Sequence, residues 1–175
     1  MNIKKYNDKI HEDESKGENR FTVPGALEED KISISINTDI EKDISKADII
    51  NKAFLYHSKG MTLEAEKYYK FFIEKGFNDH RIFSNYAAIL KDHGKLKQAE
   101  LMTLKAIKIK PDYADAHYNL ANIFYDMRKM QLAEIHQRKS ISIQPNSPEA
   151  HNNLGLILNE LSKFKEAVIS TRQAI

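Results

Sequence analysis

The stretch AHYNLANIFYDM, residues 116–127, returns as AHNNLGLILNEL at residues 150–161. Ala, His, Asn and Leu reappear at the same places after a step of 34 residues. Sliding the chain by that step aligns most of it with itself. Asn51, Asn85, Asn119 and Asn153 form one column, and Ala65, Ala99, Ala133 and Ala167 a second. Pro111 and Pro145 share a third, with Phe77 in the same place of the first copy. Ile73, Ile107, Ile141 and Ile175 form a fourth. The period divides the chain into units 46–79, 80–113, 114–147 and 148–175, the last shorter than a full period.

Each unit reads as two helices. Phe83, Tyr86, Ala87 and Leu90 stand at offsets of three, four and seven residues, one face of a helix. Small residues at Ala87, Ala121 and Gly155, and again in the Ala65 column, allow two helices to approach closely. Gly60 and Gly94 fall between the helices, where a left-handed residue suits Gly. Pro111 and Pro145 stop the second helix of their units. Ahead of the first helix, Ser45 and Asp48 have the spacing of a capping box. A single helix pair cannot bury its apolar face, whereas a stack of pairs can.

The pattern resembles the tetratricopeptide-repeat (TPR) family, including its bacterial arrays. In HYNLANIF and HNNLGLIL, His117 and His151 take the bulky place of that family's first helix, and Leu120 and Leu154 the Leu. Ala121 and Gly155 take the small place, Phe124 and Leu158 the aromatic one. In the second helix Ala99, Ala106 and Pro111 match, as do Ala133, Ser140 and Pro145. Two departures stand out. Thr103, Gln137 and Thr171 hold the second-helix aromatic place, which implies thinner or more polar packing onto the next unit. The first unit has Lys52 for Leu and Phe72 for Ala, so it reads as degenerate, in the position of an N-terminal cap. The resemblance implies an all-α, right-handed α-solenoid of helix-turn-helix units. No polar capping helix follows the fourth unit, which is expected to leave an apolar face open to end-to-end self-association, or to mark a fragment of a longer array.

Composition sets outer bounds. Among the 175 residues, 30% are charged and 41% hydrophobic, with a net charge of +2. That charge is too small to point to nucleic acid or an anionic membrane. There is no Cys, which excludes disulfides and thiolate chemistry. Neither a signal peptide nor an 18-residue apolar span is legible, so a cytoplasmic protein is the default expectation. Residues 1–45 carry 7 Lys/Arg against 11 Asp/Glu and lack helical periodicity. They read as an acidic, largely disordered tail that cannot bury enough apolar area to order itself. Within it, KISISIN alternates Ile32, Ile34 and Ile36 like a lone strand, which is unstable without a partner.

No catalytic, cofactor or metal constellation is legible: there is no phosphate loop, no helical His pair and no nucleophile elbow. His117 and His151 read as core residues. The better candidate is a stripe on the first helices, opposite their apolar face. It comprises Arg81, Asn85, Ala88 and Asp92; then Asp115, Asn119, Asn122 and Asp126; then Glu149, Asn153, Leu156 and Glu160. The family's solenoid presents first helices on its concave side, so the resemblance places these stripes in a groove. Carboxamides can pair with both the N–H and the C=O of an extended peptide, as an Asn ladder does in the similar arrays of O-linked N-acetylglucosamine transferases. Asn is also common here across the family, where it serves local hydrogen bonding. The place before each Asn holds Ile50, Ser84, Tyr118 and Asn152, none of them basic. That speaks against the carboxylate clamp by which related modules hold chaperone C-termini. The acidic row Asp92, Asp126 and Glu160 favours a neutral, hydroxyl-rich or basic guest. The expectation is therefore a non-catalytic scaffold that binds a protein or peptide partner. The alternative is the substrate-recruiting arm of a larger glycosyltransferase or sulfotransferase.

Overall fold

The computed structural model describes residues 44–174. The expected acidic tail lies outside these residues except for its last two positions, as does the Ile32–Ile36 alternation. Eight helices and no strand occur among the described residues: α1 Lys46–Ser58, α2 Thr62–Glu74, α3 His80–Asp92, α4 Leu96–Ile109, α5 Ala114–Asp126, α6 Met130–Ile143, α7 Pro148–Glu160 and α8 Phe164–Arg172. They pair as α1 with α2, α3 with α4, α5 with α6 and α7 with α8. Each second helix then packs on the first helix of the next pair, and α3, α5 and α7 touch in turn. The result is an α-solenoid.

Local chemistry places the helix ends. Ser45 caps α1, its hydroxyl accepting from the Asp48 N–H at 3.2 Å. Asp79 caps α3 and Ser147 caps α7 in the same way, with Pro148 at the first turn of α7. All four first helices end alike. Gly60, Gly94, Arg128 and Ser162 stand 34 residues apart, with φ of 70, 72, 59 and 59°. Each donates its N–H three residues back, and the next residue donates five back, as Lys129 does to Phe124. This is the Schellman arrangement, which satisfies carbonyls left open at a helix end. Gly serves the position in two units, and Arg128 and Ser162 adopt it against their Cβ in the others.

The core runs along the array. Ile49, Tyr69, Phe72, Ile82, Phe83, Leu90 and Ile123 belong to one buried cluster that crosses from α1 to α5. Leu154, Leu158 and Ala167, with Ile141 against them, join α6, α7 and α8. Each fully buried large side chain contributes roughly 1.5–3 kcal/mol. The departures of the first unit are absorbed. Phe72 is wholly buried, its ring edge-on to Phe77 at 5.4 Å, with the Lys46 ammonium over both rings. Lys52 stays exposed over the Tyr68 ring. Thr103 and Gln137 are fully buried at the stacking seam and are satisfied as donors. The Thr103 hydroxyl donates to the Ala99 carbonyl at 2.8 Å, and the Gln137 amide donates to the Ala150 carbonyl at 2.8 Å. The seam is polar there, as its sequence implies, yet close-packed.

Because a left-handed non-Gly residue costs about 1–2 kcal/mol, Arg128→Gly and Ser162→Gly should each stabilise the array. Part of the gain is lost to the freedom of Gly in the unfolded chain. The expected net is about 0.5–1 kcal/mol per site, read as a higher midpoint in urea unfolding. A lower midpoint for both would show that the turn is not strained.

Candidate functional site: the seam between first helices

The stripe is less open than its spacing suggests. Asn85, Asn119 and Asn153 are half-buried, because neighbouring first helices close over the middle of it. Asn119 Nδ2 donates to Ser84 Oγ at 3.0 Å and to the Ser84 carbonyl at 3.4 Å. Asn153 Nδ2 donates to the Tyr118 hydroxyl and to Asn122 Oδ1, both at 3.0 Å. Asn85 hydrogen-bonds Tyr69 of α2, whose hydroxyl also meets His57 Nδ1 at 2.7 Å. Burial pushes the Tyr69 phenol up to about 12, against the opposing effect of Asn85. The Asn column thus ties each first helix to the preceding unit. The acceptors Ser84 and Tyr118 occupy the place just before the previous Asn, where the sequence shows only that no base is present.

These bonds fix which way the amides point. Asn122 accepts through Oδ1, which turns its two N–H donors away from Asn153. Asn119 donates through Nδ2, which leaves its oxygen as an acceptor. The stripe's ends are exposed: Arg81, Asp92, Asp115, Asp126, Glu149 and Glu160. Arg81 folds back onto Asp79, with Nε at 3.1 Å and Nη2 at 2.8 Å, and lies over the Phe54 ring. Asp92 neighbours Lys91 at 2.9 Å, and Glu160 lies 4.0 Å from Arg128. Asp92, Asp126 and Glu160 are the last residues of α3, α5 and α7. A carboxylate there adds to the negative end of the helix dipole. At the other end of the stripe, Asp115, Tyr118 and Glu149 line a cleft of about 260 Å³ with Ser140, Gln144 and Ser147.

Family models for the TPR repeat match residues 89–127, and for the tetratricopeptide repeat residues 114–147 and 136–169. The protein belongs to the tetratricopeptide-repeat family. Solved TPR structures share its fold at low identity. The crystal structure of MamA superposes with a TM-score of 0.68 at 22% identity, covering 74% of this chain and 76% of that one. YrrB, described as a TPR protein with an unusual peptide-binding site, gives 0.65 at 15% identity over 75% of this chain and 68% of its own. The first TPR of Spaghetti (RPAP3), bound to the HSP90 peptide SRMEEVD, gives 0.63 at 20% identity over 67% and 93%. No curated protein matches the sequence.

The bulky TPR place held by His117 and His151 has a clear task. Each imidazole Nε2 lies 2.9 Å from the carbonyl of the Pro that closes the preceding unit, Pro111 or Pro145. A carbonyl only accepts, so Nε2 carries the proton and Nδ1 is the acceptor. His117 Nδ1 therefore accepts a hydrogen bond from the His136 Nδ1–H at 3.1 Å, with the two rings stacked. Burial holds the His117 imidazole below its usual range, against the Pro111 carbonyl. His136 is driven down to about 4, first by burial and then by His117. Among the described residues no group of three or more His, Asp or Glu could hold a metal ion. No described helix is long and apolar enough to cross a membrane.

A His whose pKa is depressed on folding contributes stability above its unfolded value of 6.5 and loses it as pH falls toward the folded value of about 4. Stability should drop by on the order of 2–3 kcal/mol across that window. His136→Met, which places the residue found at Met102 of the preceding TPR unit, should flatten at least half of the decline. Urea unfolding at a series of pH values measures it. An equally steep decline in the variant would assign the effect to other groups.

Proposed function

We propose that the array is a non-catalytic interaction scaffold that holds an extended, basic or hydroxyl-rich peptide along its first-helix seam. The observation that carries this reading is the pairing of prefixed amides with carboxylates on one surface. Asn119 keeps an acceptor and Asn122 keeps donors, the two complements of a peptide backbone. Around them stand Asp92, Asp115, Asp126, Glu149 and Glu160, while the stripe's cation, Arg81, is engaged by Asp79. A cationic side chain on the guest meets an attractive field there and an acidic one meets repulsion. Peptide binding by the similar TPR proteins supports the general role. The acidic seam argues for a guest unlike SRMEEVD, which carries three acidic residues against one basic.

Fluorescence anisotropy with a labelled Lys/Ser-rich peptide and a Glu-rich control tests this at low and high salt. The Lys/Ser-rich peptide should bind and the control should not. Asp126→Lys combined with Glu160→Lys should weaken binding by at least about tenfold. Asn122→Ala should weaken it less, with unfolding unchanged because Asn153 retains its bond to Tyr118. Preference for the Glu-rich peptide, or indifference to both changes, would rule this guest out.

A further inference from the structure

Contacts between neighbouring units recur with the 34-residue step. Glu66, Glu100 and Glu134 on the second helices each meet a side chain from the next unit's turn: His93 at 3.7 Å, Lys129 at 3.7 Å and Lys163 at 2.7 Å. At the last junction Arg138 of α6 pairs with Glu166 of α8, where the same columns hold Leu104 and Leu132 one unit earlier. Asn153 reaches back to Tyr118. Carried one period beyond the last junction, these columns place Val168 where Glu100 and Glu134 stand. They place Arg172 where Arg138 stands, and Asn152 where Tyr118 stands.

The first unit carries the opposite members. Met61 occupies the column of Lys129 and Lys163, Glu64 that of Glu166, and Asn51 that of Asn153. Leu55 occupies the column of Ile89, Ile123 and Ile157, which are at most 2% exposed in their units, whereas Leu55 is 49% exposed. Met61 and Val168 are also open, at 45% and 52%. The two members of the in-register pairs Glu100–Lys129 and Glu134–Lys163 are therefore replaced by apolar residues, Val168 on α8 and Met61 ahead of α2. Met61 suits Val168, and Glu64 suits Arg172.

We propose that the protein associates head to tail, the α1–α2 face of one copy seating on α8 of another in the array's own register. Met61 then packs on Val168, Glu64 pairs with Arg172, and Asn51 donates to Asn152. The two faces differ, so the contact is heterologous and adds copies beyond a dimer.

Sedimentation velocity of the 175-residue protein over a wide concentration range tests it. The average coefficient should climb past the dimer value. Glu64→Arg and Arg172→Glu should each weaken association by at least about tenfold, since like charges then meet. The double variant should restore it. Met61→Lys and Val168→Glu should behave in the same way, separately damaging and jointly rescuing. All four side chains lie outside the core, so helicity by circular dichroism should remain that of the parent. A monomer at every concentration overturns the proposal. So does a dimer indifferent to Glu64→Arg, the mark of α8 pairing with α8.

Discussion

The structure depends on one contact repeated along the chain: a second helix packed on the first helix of the following unit. Two helices of about thirteen residues cannot exclude water from their shared apolar face by themselves. Each pair leaves a flank uncovered, and the next pair covers it. The small residues at Ala87, Ala121 and Gly155 bring the two helices of a unit close. At Gly155 the approach is so tight that an added Cβ would lie 2.5 Å from Thr171 Oγ1. Stability is thus a sum over junctions rather than the property of one central core.

Polar groups at the junctions are the price of a fixed register. Gln137 is buried and donates across a junction, to the Ala150 carbonyl of the next unit; Ser140 donates to Ala114 within its own unit and Thr103 to Ala99 within its own helix. An apolar side chain in place of Gln137 would bury more surface but would accept a slipped neighbour. A buried amide whose only good partner is the Ala150 carbonyl resists such slippage, because losing that bond costs about 1–3 kcal/mol. His117 and His151 work alike at the other edge, fixing the Pro-closed turn to the helix that follows it. His117 and His151 repeat together with their partners Pro111 and Pro145, whereas the Asn column repeats while its partners change.

That distinction explains what was legible from the amino acids. The helix pairs, the Gly turns and the burial of the Phe83 face follow from local spacing, so they read directly. Arg128 and Ser162 did not announce their left-handed turns, because the ordinary signal is Gly. Backbone bonds of the Schellman arrangement hold them there instead. The Asn column was legible as a column, but its acceptors were not. They lie 16 residues back for Asn85 and 31 to 35 back for Asn119 and Asn153, and change from Tyr69 to Ser84 and then to Tyr118 and Asn122. The pairing of His117 with His136 occurs in one unit alone, since the equivalents of His136 are Tyr68, Met102 and Ser170. No periodic comparison could reveal it.

The carboxylates along the seam follow a different logic from the rest of the array. Asp92, Asp126 and Glu160 terminate three helices with the sign that the helix dipole disfavours, at a cost of about 0.3–1 kcal/mol each. Cations at those ends would stabilise the fold, and Lys is abundant elsewhere on the surface. Within the fold these carboxylates gain little: Lys91 is an adjacent side chain, and Arg128 stands at the limit of contact with Glu160. A stack held by its buried junctions can tolerate that cost. The turns that follow these helix ends do meet the preceding unit, but through His93, Lys129 and Lys163 rather than through Asp92 and Asp126. Only Glu160 reaches back, to Arg128 at the limit of contact, so the acidic row adds little to the contacts that build the solenoid.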